Sequence, residues 1–306
     1  MPTGFKNPSR DSQKGMALVL VLMIMALITA MVVEFADEVY TANAALYNWK
    51  DVRRLSLAAR SGLTLQIRMI TDNQERYGYT YPGTTETSVV NPREDFNGTI
   101  FVKSEDENAK FNLNSLILPN GLLNARSYET FKRLLTHLAL DERIADRVAD
   151  WIDPDQEPRL GNSEVSAKNA YMDSVDELSS IIDTASCDRL LTHVTVYGIG
   201  GVNGNIVNIN TASVFVLMAL DDAMTRELAE RVVTFRSLEP FQNVSDIVKV
   251  AGFEGPLGQS LMGRITVKAL NFRIKSVAEE NRIKRIIECV VGKSDGGFTV
   301  RYWQET

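Results

Sequence analysis

The sequence predicts an α+β protein: a long N-terminal helix packed on a small antiparallel sheet, with a large all-α insertion interrupting that sheet. Three observations carry the expectation. An uncharged apolar run near the N-terminus passes into a helical pattern, and a strand-like run at residues 98–106 finds its companions only at the C-terminus. Between them, roughly 160 residues read as helical and repeat themselves.

The first element is the run Met16 to Val33, which holds no charge over 18 residues. That is the lower bound for crossing a hydrocarbon core of about 30 Å. A secretory signal peptide would have a shorter apolar core and a small-residue cleavage site close behind it. Here Glu34, Asp37 and Glu38 come first, and Ala42-Asn43-Ala44 lies too far on. The polar leader carries Lys6, Arg10 and Lys14 against Asp11, which holds the N-terminus on the cytoplasmic side and sends the rest of the chain outward. Gly15 sits between Lys14 and the apolar run. This arrangement resembles the class III signal of type IV pilins and pseudopilins, which implies cleavage by a prepilin peptidase between Gly15 and Met16. In most such proteins the fifth mature residue is glutamate; here it is Leu20.

The helical pattern continues through Val39, Leu46, Leu55, Ala59, Leu63, Ile67 and Ile70, with no proline or glycine before Gly62. A Gly- and Pro-containing loop, Tyr77 to Asp95, ends it. "GTIFVKSED" then reads as a strand. The matching set is the C-terminal stretch from Asn271, where Glu279-Glu280-Asn281 and Ser294-Asp295-Gly296-Gly297 divide three strands into a meander.

Within the insertion, "FNLNSL" (Phe111 to Leu116) matches "VNINTA" (Val207 to Ala212), and "LALDERIADRV" matches "MALDDAMTRELAERV". "SVDELSSI" matches "NVSDIVKV" in the same order. Each Asn-x-Asn-Ser/Thr element suits a helix cap, so two small helical bundles of one type are expected. The second copy resembles helix-hairpin-helix (SAM-like) modules, many of which bind DNA through glycine amides at the hairpin. Here the hairpin reads Leu220-Asp221-Asp222-Ala223-Met224, whose carboxylates repel phosphate. The net charge of −6 also gives no footprint for nucleic acid.

The most pointed chemistry is "DPDQEPRLGNSE". Asp153, Asp155, Glu157 and Glu164 fall at positions 1, 3, 5 and 12 of an EF-hand-type loop, and hard oxygen donors select calcium. Pro158 stands where the turn glycine belongs, so a standard EF-hand is not expected; a solvated acidic loop with Trp151 in the core and Arg159 offsetting charge is the plainer reading. Catalysis has little support. His137 and His193 lie in no metal or nucleophile motif, and nothing orients Cys187 on His193. Cys187 and Cys289 could pair in an oxidising compartment or remain single buried thiols.

Taken together, the leader, the apolar helix with Leu20, "FNLNSL", "ADWIDPDQEPRLGNSE", "VNINTAS" and the C-terminal meander resemble the type II secretion minor pseudopilin K family. The resemblance implies a pilin-like fold and these parts: leader 1–15, membrane helix 16–35, and pilin-like helix with first strand 36–110. An insertion at 111–264 follows, with repeats at about 111–184 and 205–264, and then the C-terminal strands 265–306. It further implies a non-enzymatic, single-pass inner-membrane protein with a periplasmic head at the pseudopilus tip. Its partners would be minor pseudopilins I and J, the major pseudopilin, the prepilin peptidase and the inner-membrane secretion platform. A membrane-anchored envelope protein with partner-binding repeats, or a tip subunit of a related type IV pilus-like machine, is the alternative.

Overall fold

A computed structural model describes residues 9–82, 86–89, 96–161, 167–199, 204–294 and 296–306, with 9–14 and 86–89 as backbone only. The chain forms two compact units, Met1–Arg54 and Leu55–Thr306. Their division falls within helix α1 (Ser9–Tyr77). The described part of the first unit is helix alone. Its apolar side chains from Met16 to Val33 are exposed, as they must be if lipid is their solvent.

In the second unit, α1 packs against a five-stranded antiparallel sheet. The strands are β1 (Glu86–Val89), β2 (Thr99–Asp106), β7 (Asn271–Glu280), β8 (Ile283–Ser294) and β9 (Gly297–Glu305), in that spatial order. Alternation decides the buried face: in β2, Ile100, Val102, Ser104 and Asp106 point inward. Leu55, Ala59, Leu63 and Ile70 of α1 share one core with Ile100, Val102, Ile274, Ala278, Ile287 and Cys289. Polar contacts fix the register of helix on sheet, since Gln66 Nε2 donates to Ser104 Oγ at 2.8 Å and Ser276 Oγ donates to the Ala59 carbonyl at 2.8 Å. The β7–β8 hairpin turns on Asn281 and Arg282, both left-handed with φ of 50° and 69°, as a two-residue turn of type I′ requires. Asn281 tolerates that conformation and Arg282 is forced into it.

The helical part leaves the sheet after β2. Its first series is β3 (Phe111–Asn112), α2 (Ala125–His137), α3 (Ile144–Ile152), the 3₁₀ helix Val175–Ser180, α4 (Thr184–Leu191) and β4 (Val194–Thr195). Its second is β5 (Val207–Asn208), α5 (Val214–Ala219), α6 (Arg226–Leu238), the 3₁₀ helix Val244–Lys249, α7 (Pro256–Leu261) and β6 (Ile265–Thr266). The order is strand, two helices, 3₁₀ helix, helix, strand in both, with a further 3₁₀ helix, Leu113–Leu116, after the first strand of the first series only, and each pair of strands is parallel. The two series bury one continuous core from Phe111 to Ile265, with Phe111 stacked on Phe131 at 5.2 Å, so they are not separate bundles. Because β6 pairs with β5, the helical part closes at Thr266 and the main sheet resumes at Asn271, past the boundary that the sequence suggests. The caps also differ between the series. Asn112 caps the 3₁₀ helix Leu113–Leu116, whereas Asn208 accepts the Asn210 amide in a turn and Ser213 caps α5.

Gly62 shows how closely helix and sheet approach. A Cβ there would stand 2.8 Å from Ile100 Cγ2, 2.8 Å from Ser276 Oγ and 2.9 Å from Val102 Cγ2. Helix propensity alone favours alanine over glycine by about 1 kcal/mol. Overpacking against branched, stiff neighbours costs about 1–3 kcal/mol. Gly62→Ala is therefore expected to lower stability by up to about 2 kcal/mol, read as a lower thermal midpoint of the detergent-solubilised protein; a raised midpoint would show that the helix stands off the sheet.

Candidate functional site

Gly15, Met16 and Leu20 lie in succession on α1, and Met16 and Leu20 present 69% and 57% of their surface. The helix segment Gly15–Tyr77 holds the one described span long and apolar enough to cross a membrane. No glutamate interrupts the apolar stretch at Leu20.

The acidic loop starts at the end of α3. The amphipathic pattern of that helix buries Val148, Ala149 and Ile152 and carries Asp150 inward with them. Asp153 follows as the C-cap, its amide donating to the Ala149 carbonyl. Two buried carboxylates so close need a cation, and Arg159 supplies it. Its Nη1 lies 2.6 Å from Asp150 Oδ1 and also bonds Asp153 Oδ2, while its amide donates to Asp150 Oδ2 at 2.9 Å. Asp155 Oδ1 accepts the Glu157 amide at 2.9 Å, an Asx turn on the exposed side of the loop. Burial holds the Asp153 carboxyl above its ordinary range, more than Arg159 lowers it. Asp153 Oδ1 is buried without a hydrogen-bond partner among the described residues. Of the four carboxylates that the spacing groups in sequence, Asp153, Asp155 and Glu157 are described, and the described residues hold no cluster of three or more acidic, histidine or cysteine side chains placed to hold a metal ion; Glu164 lies outside the described residues. Trp151 is half-buried and packs against the core of the helical part, and its Nε1 donates to Glu177 Oε2 at 2.9 Å.

A second polar centre escaped the sequence reading. Asp106, Glu107 and Asn108 are consecutive and buried where β2 hands the chain to the helical part. Asp106 Oδ2 accepts from Asn208 Nδ2 at 2.7 Å and Thr211 Oγ1 at 2.6 Å, and Oδ1 accepts the Asn108 amide at 2.7 Å. Glu107 Oε1 takes Lys110 Nζ at 2.9 Å and Arg273 Nε at 3.0 Å, and Oε2 accepts from Thr195 Oγ1. Asn108 Oδ1 accepts the amides of Leu270 at 2.7 Å and Asn271 at 3.0 Å. Burial would raise Glu107, but Lys110 and Arg273 hold it below its usual range. Asp106 has only neutral partners, and burial pushes its carboxyl up from 3.8 to about 6. Its contribution to stability is therefore full below 3.8 and is lost as pH rises through about 6. The signal was present: strict alternation in β2 places Asp106 on the inner face.

The remaining candidates do not assemble into a nucleophilic centre. His193 Nδ1 lies 3.1 Å from Ser213 Oγ, and burial lowers the imidazole pKa. Cys187 and Cys289 are free and buried, and burial raises both thiols, the reverse of an activated thiolate. At the α5–α6 hairpin, Asp221 Oδ1 accepts the Ala223 amide at 3.1 Å, so the turn amide faces a carboxylate.

Known proteins give this geometry its setting. The family described as type II secretion system (T2SS), protein K, matches the chain twice, over residues 109–198 and 207–268. The chain belongs to the type II secretion system protein K family. It is 28% identical over 263 residues to type II secretion system protein K of Pseudomonas aeruginosa, covering 78% of this chain and 77% of that protein. The corresponding protein of Dickeya chrysanthemi is 29% identical over 133 residues, 39% of this chain and 38% of its own. The fold resembles a chain in the crystal structure of the GspK-GspI-GspJ complex from the enterotoxigenic Escherichia coli type 2 secretion system. That likeness has a TM-score of 0.69 at 20% identity, and covers 85% of this chain and 98% of that one. Family membership makes this chain a minor pseudopilin, a structural component rather than a known enzyme, and its N-terminal apolar helix fits a membrane anchor.

Proposed function

We propose that this protein is the tip subunit of a type II secretion pseudopilus. In this reading it starts or caps the fibre together with minor pseudopilins I and J, for export across the outer membrane. The observation that carries it is Leu20. A glutamate within an apolar membrane helix must be paired or neutralised, and in pilin-like fibres its partner is the N-terminal amine of a neighbouring subunit. Leucine makes no such demand, which suits a subunit placed first and not one repeated below. The helical part between Phe111 and Thr266, bulky and built of two like series, would crowd a repeating lattice and supports the same position. We read each series as a helix-hairpin-helix-like unit with a structural, non-catalytic role. The head faces the periplasm, and the single span rests in the inner membrane after a prepilin peptidase removes residues 1–15. Mass spectrometry of the membrane-extracted protein is expected to find Met16 at the N-terminus; Met1, or a terminus near Ala45, would overturn the processing on which the reading depends.

We further propose a calcium site in the loop after α3, completed by a carboxylate beyond the described residues. Its donors would be Asp153, Asp155, Glu157 and Glu164, all hard oxygen ligands, and the orphaned Asp153 Oδ1 is the observation that favours it. Bound calcium would neutralise these carboxylates beyond what Arg159 achieves. A ligand at 100 times its Kd stabilises the native state by about 2.7 kcal/mol. Millimolar calcium is accordingly expected to raise the thermal midpoint by about 5–10 °C over chelator, and Asp155→Ala and Glu164→Ala should each remove most of that rise. An unchanged wild-type midpoint, with no metal in the purified protein, would leave Arg159 as the loop's only cation.

A further inference from the structure

A cleft of about 340 Å³ opens in the helical part between the start of α2, the Asp221–Asp222 turn and Arg264. Three guanidinium groups line it, from Arg126, Arg133 and Arg264. Arg264 is the unusual one, at 7% exposure. Its Nη2 donates to Thr130 Oγ1 at 2.7 Å, but the nearest carboxylate oxygen, Asp221 Oδ2, is 3.7 Å from Nη1 and outside hydrogen-bond reach. Asp221 is occupied elsewhere: Oδ2 accepts from Ser260 Oγ at 2.9 Å and Oδ1 accepts the Ala223 amide at 3.1 Å. Arg133 spends Nε on the Ala219 carbonyl and Nη1 on Asp222 Oδ1, each at 2.9 Å, and Asp222 is 86% exposed and well screened. The Arg126 guanidinium has no hydrogen bond or ion pair among the described residues, and it sits in the first turn of α2, where the helix dipole disfavours a cation.

A buried guanidinium whose one ion pair is a 3.7 Å contact with Asp221, too long for a hydrogen bond, and which lines a cleft with two further arginines, is an arrangement that an added oxyanion relieves. Burial and repulsion from Arg133 and Arg126 pull the Arg264 pKa down to about 10, in keeping with an unmet positive charge. Glu129, Asp221 and Asp222 on the same walls penalise a dianionic phosphate more than a singly charged, planar carboxylate. The cleft is larger than one carboxylate needs, so the group arrives on a larger body.

We propose that this cleft binds a carboxylate through forked contacts from Arg264 and Arg126, with Arg133 and the amino-terminal end of α2 adding to the field. The carboxylate belongs either to a small free acid or to a glutamate of a docked protein segment. The proposal is independent of the position of the chain in a fibre. The full chain in detergent, held in chelator, is titrated calorimetrically with succinate and with an N-acetylated triglutamate amide. Saturable binding of succinate assigns a free acid, and binding of the peptide alone assigns a protein-borne carboxylate. Either affinity should fall at least tenfold in Arg126→Glu, a change that the first turn of α2 tolerates, with no loss of melting temperature. Arg264→Lys, which keeps the charge and loses the fork, should weaken binding likewise. Absence of saturable binding by both probes, or binding unchanged in Arg126→Glu, would overturn the proposal.

Discussion

The head depends on three consecutive buried polar residues, Asp106, Glu107 and Asn108, at the point where the chain leaves the sheet. Each reaches a different part of the fold. Asp106 holds Asn208 and Thr211 of the second helical series, Glu107 holds Thr195 of the first and Arg273 of β7, and Asn108 holds the backbone that leads into β7. A buried carboxylate left unpaired is strongly destabilising, typically by about 3–5 kcal/mol. The Glu107 contacts to Lys110 and Arg273 therefore act as a condition for the fold rather than an addition to it. An insertion of this size could swing on its two connections. The buried centre ties both helical series to the start of β7.

The same physical rule, that a buried or lipid-exposed charge must find a partner, accounts for the other two features of note. In the loop after α3, Asp150 and Asp153 are buried with Arg159 between them, and one oxygen of Asp153 has no hydrogen-bond partner among the described residues. In the membrane helix the rule acts by omission. At Leu20 the apolar stretch carries no charge that a partner would have to satisfy.

Local physics was legible in the sequence, and distant pairing was not. The apolar run, the continuing helical pattern and the alternation of β7, β8 and β9 are periodicities within one element, and they mark α1 and the C-terminal meander. The match between "FNLNSL" and "VNINTA" falls where β3 and β5 begin their two series. The sequence reading took "GTIFVKSED" as a strand and gave its charged end no role, whereas Asp106 and the following Glu107 are buried. Apart from Lys110 and the Asn108 amide, their partners lie 88 to 166 residues away, beyond any local pattern. The single core shared by both series was hidden for the same reason: each helix shows an apolar face but not what that face meets. In the acidic loop, spacing revealed Asp153, Asp155 and Glu157, but the inward turn of Asp150 depends on how α3 packs.

If the buried polar centre couples the helical part to the sheet, weakening it should be felt on both sides. The most direct measurement is hydrogen–deuterium exchange of the detergent-solubilised chain, wild type against Glu107→Gln, which keeps the side-chain shape and removes the charge facing Lys110 and Arg273. Protection is expected to fall together in β7 and in the segments around Phe111 and Val194. Loss confined to the short turn Glu107–Ala109 would contradict the coupling and make the helical part an independent body.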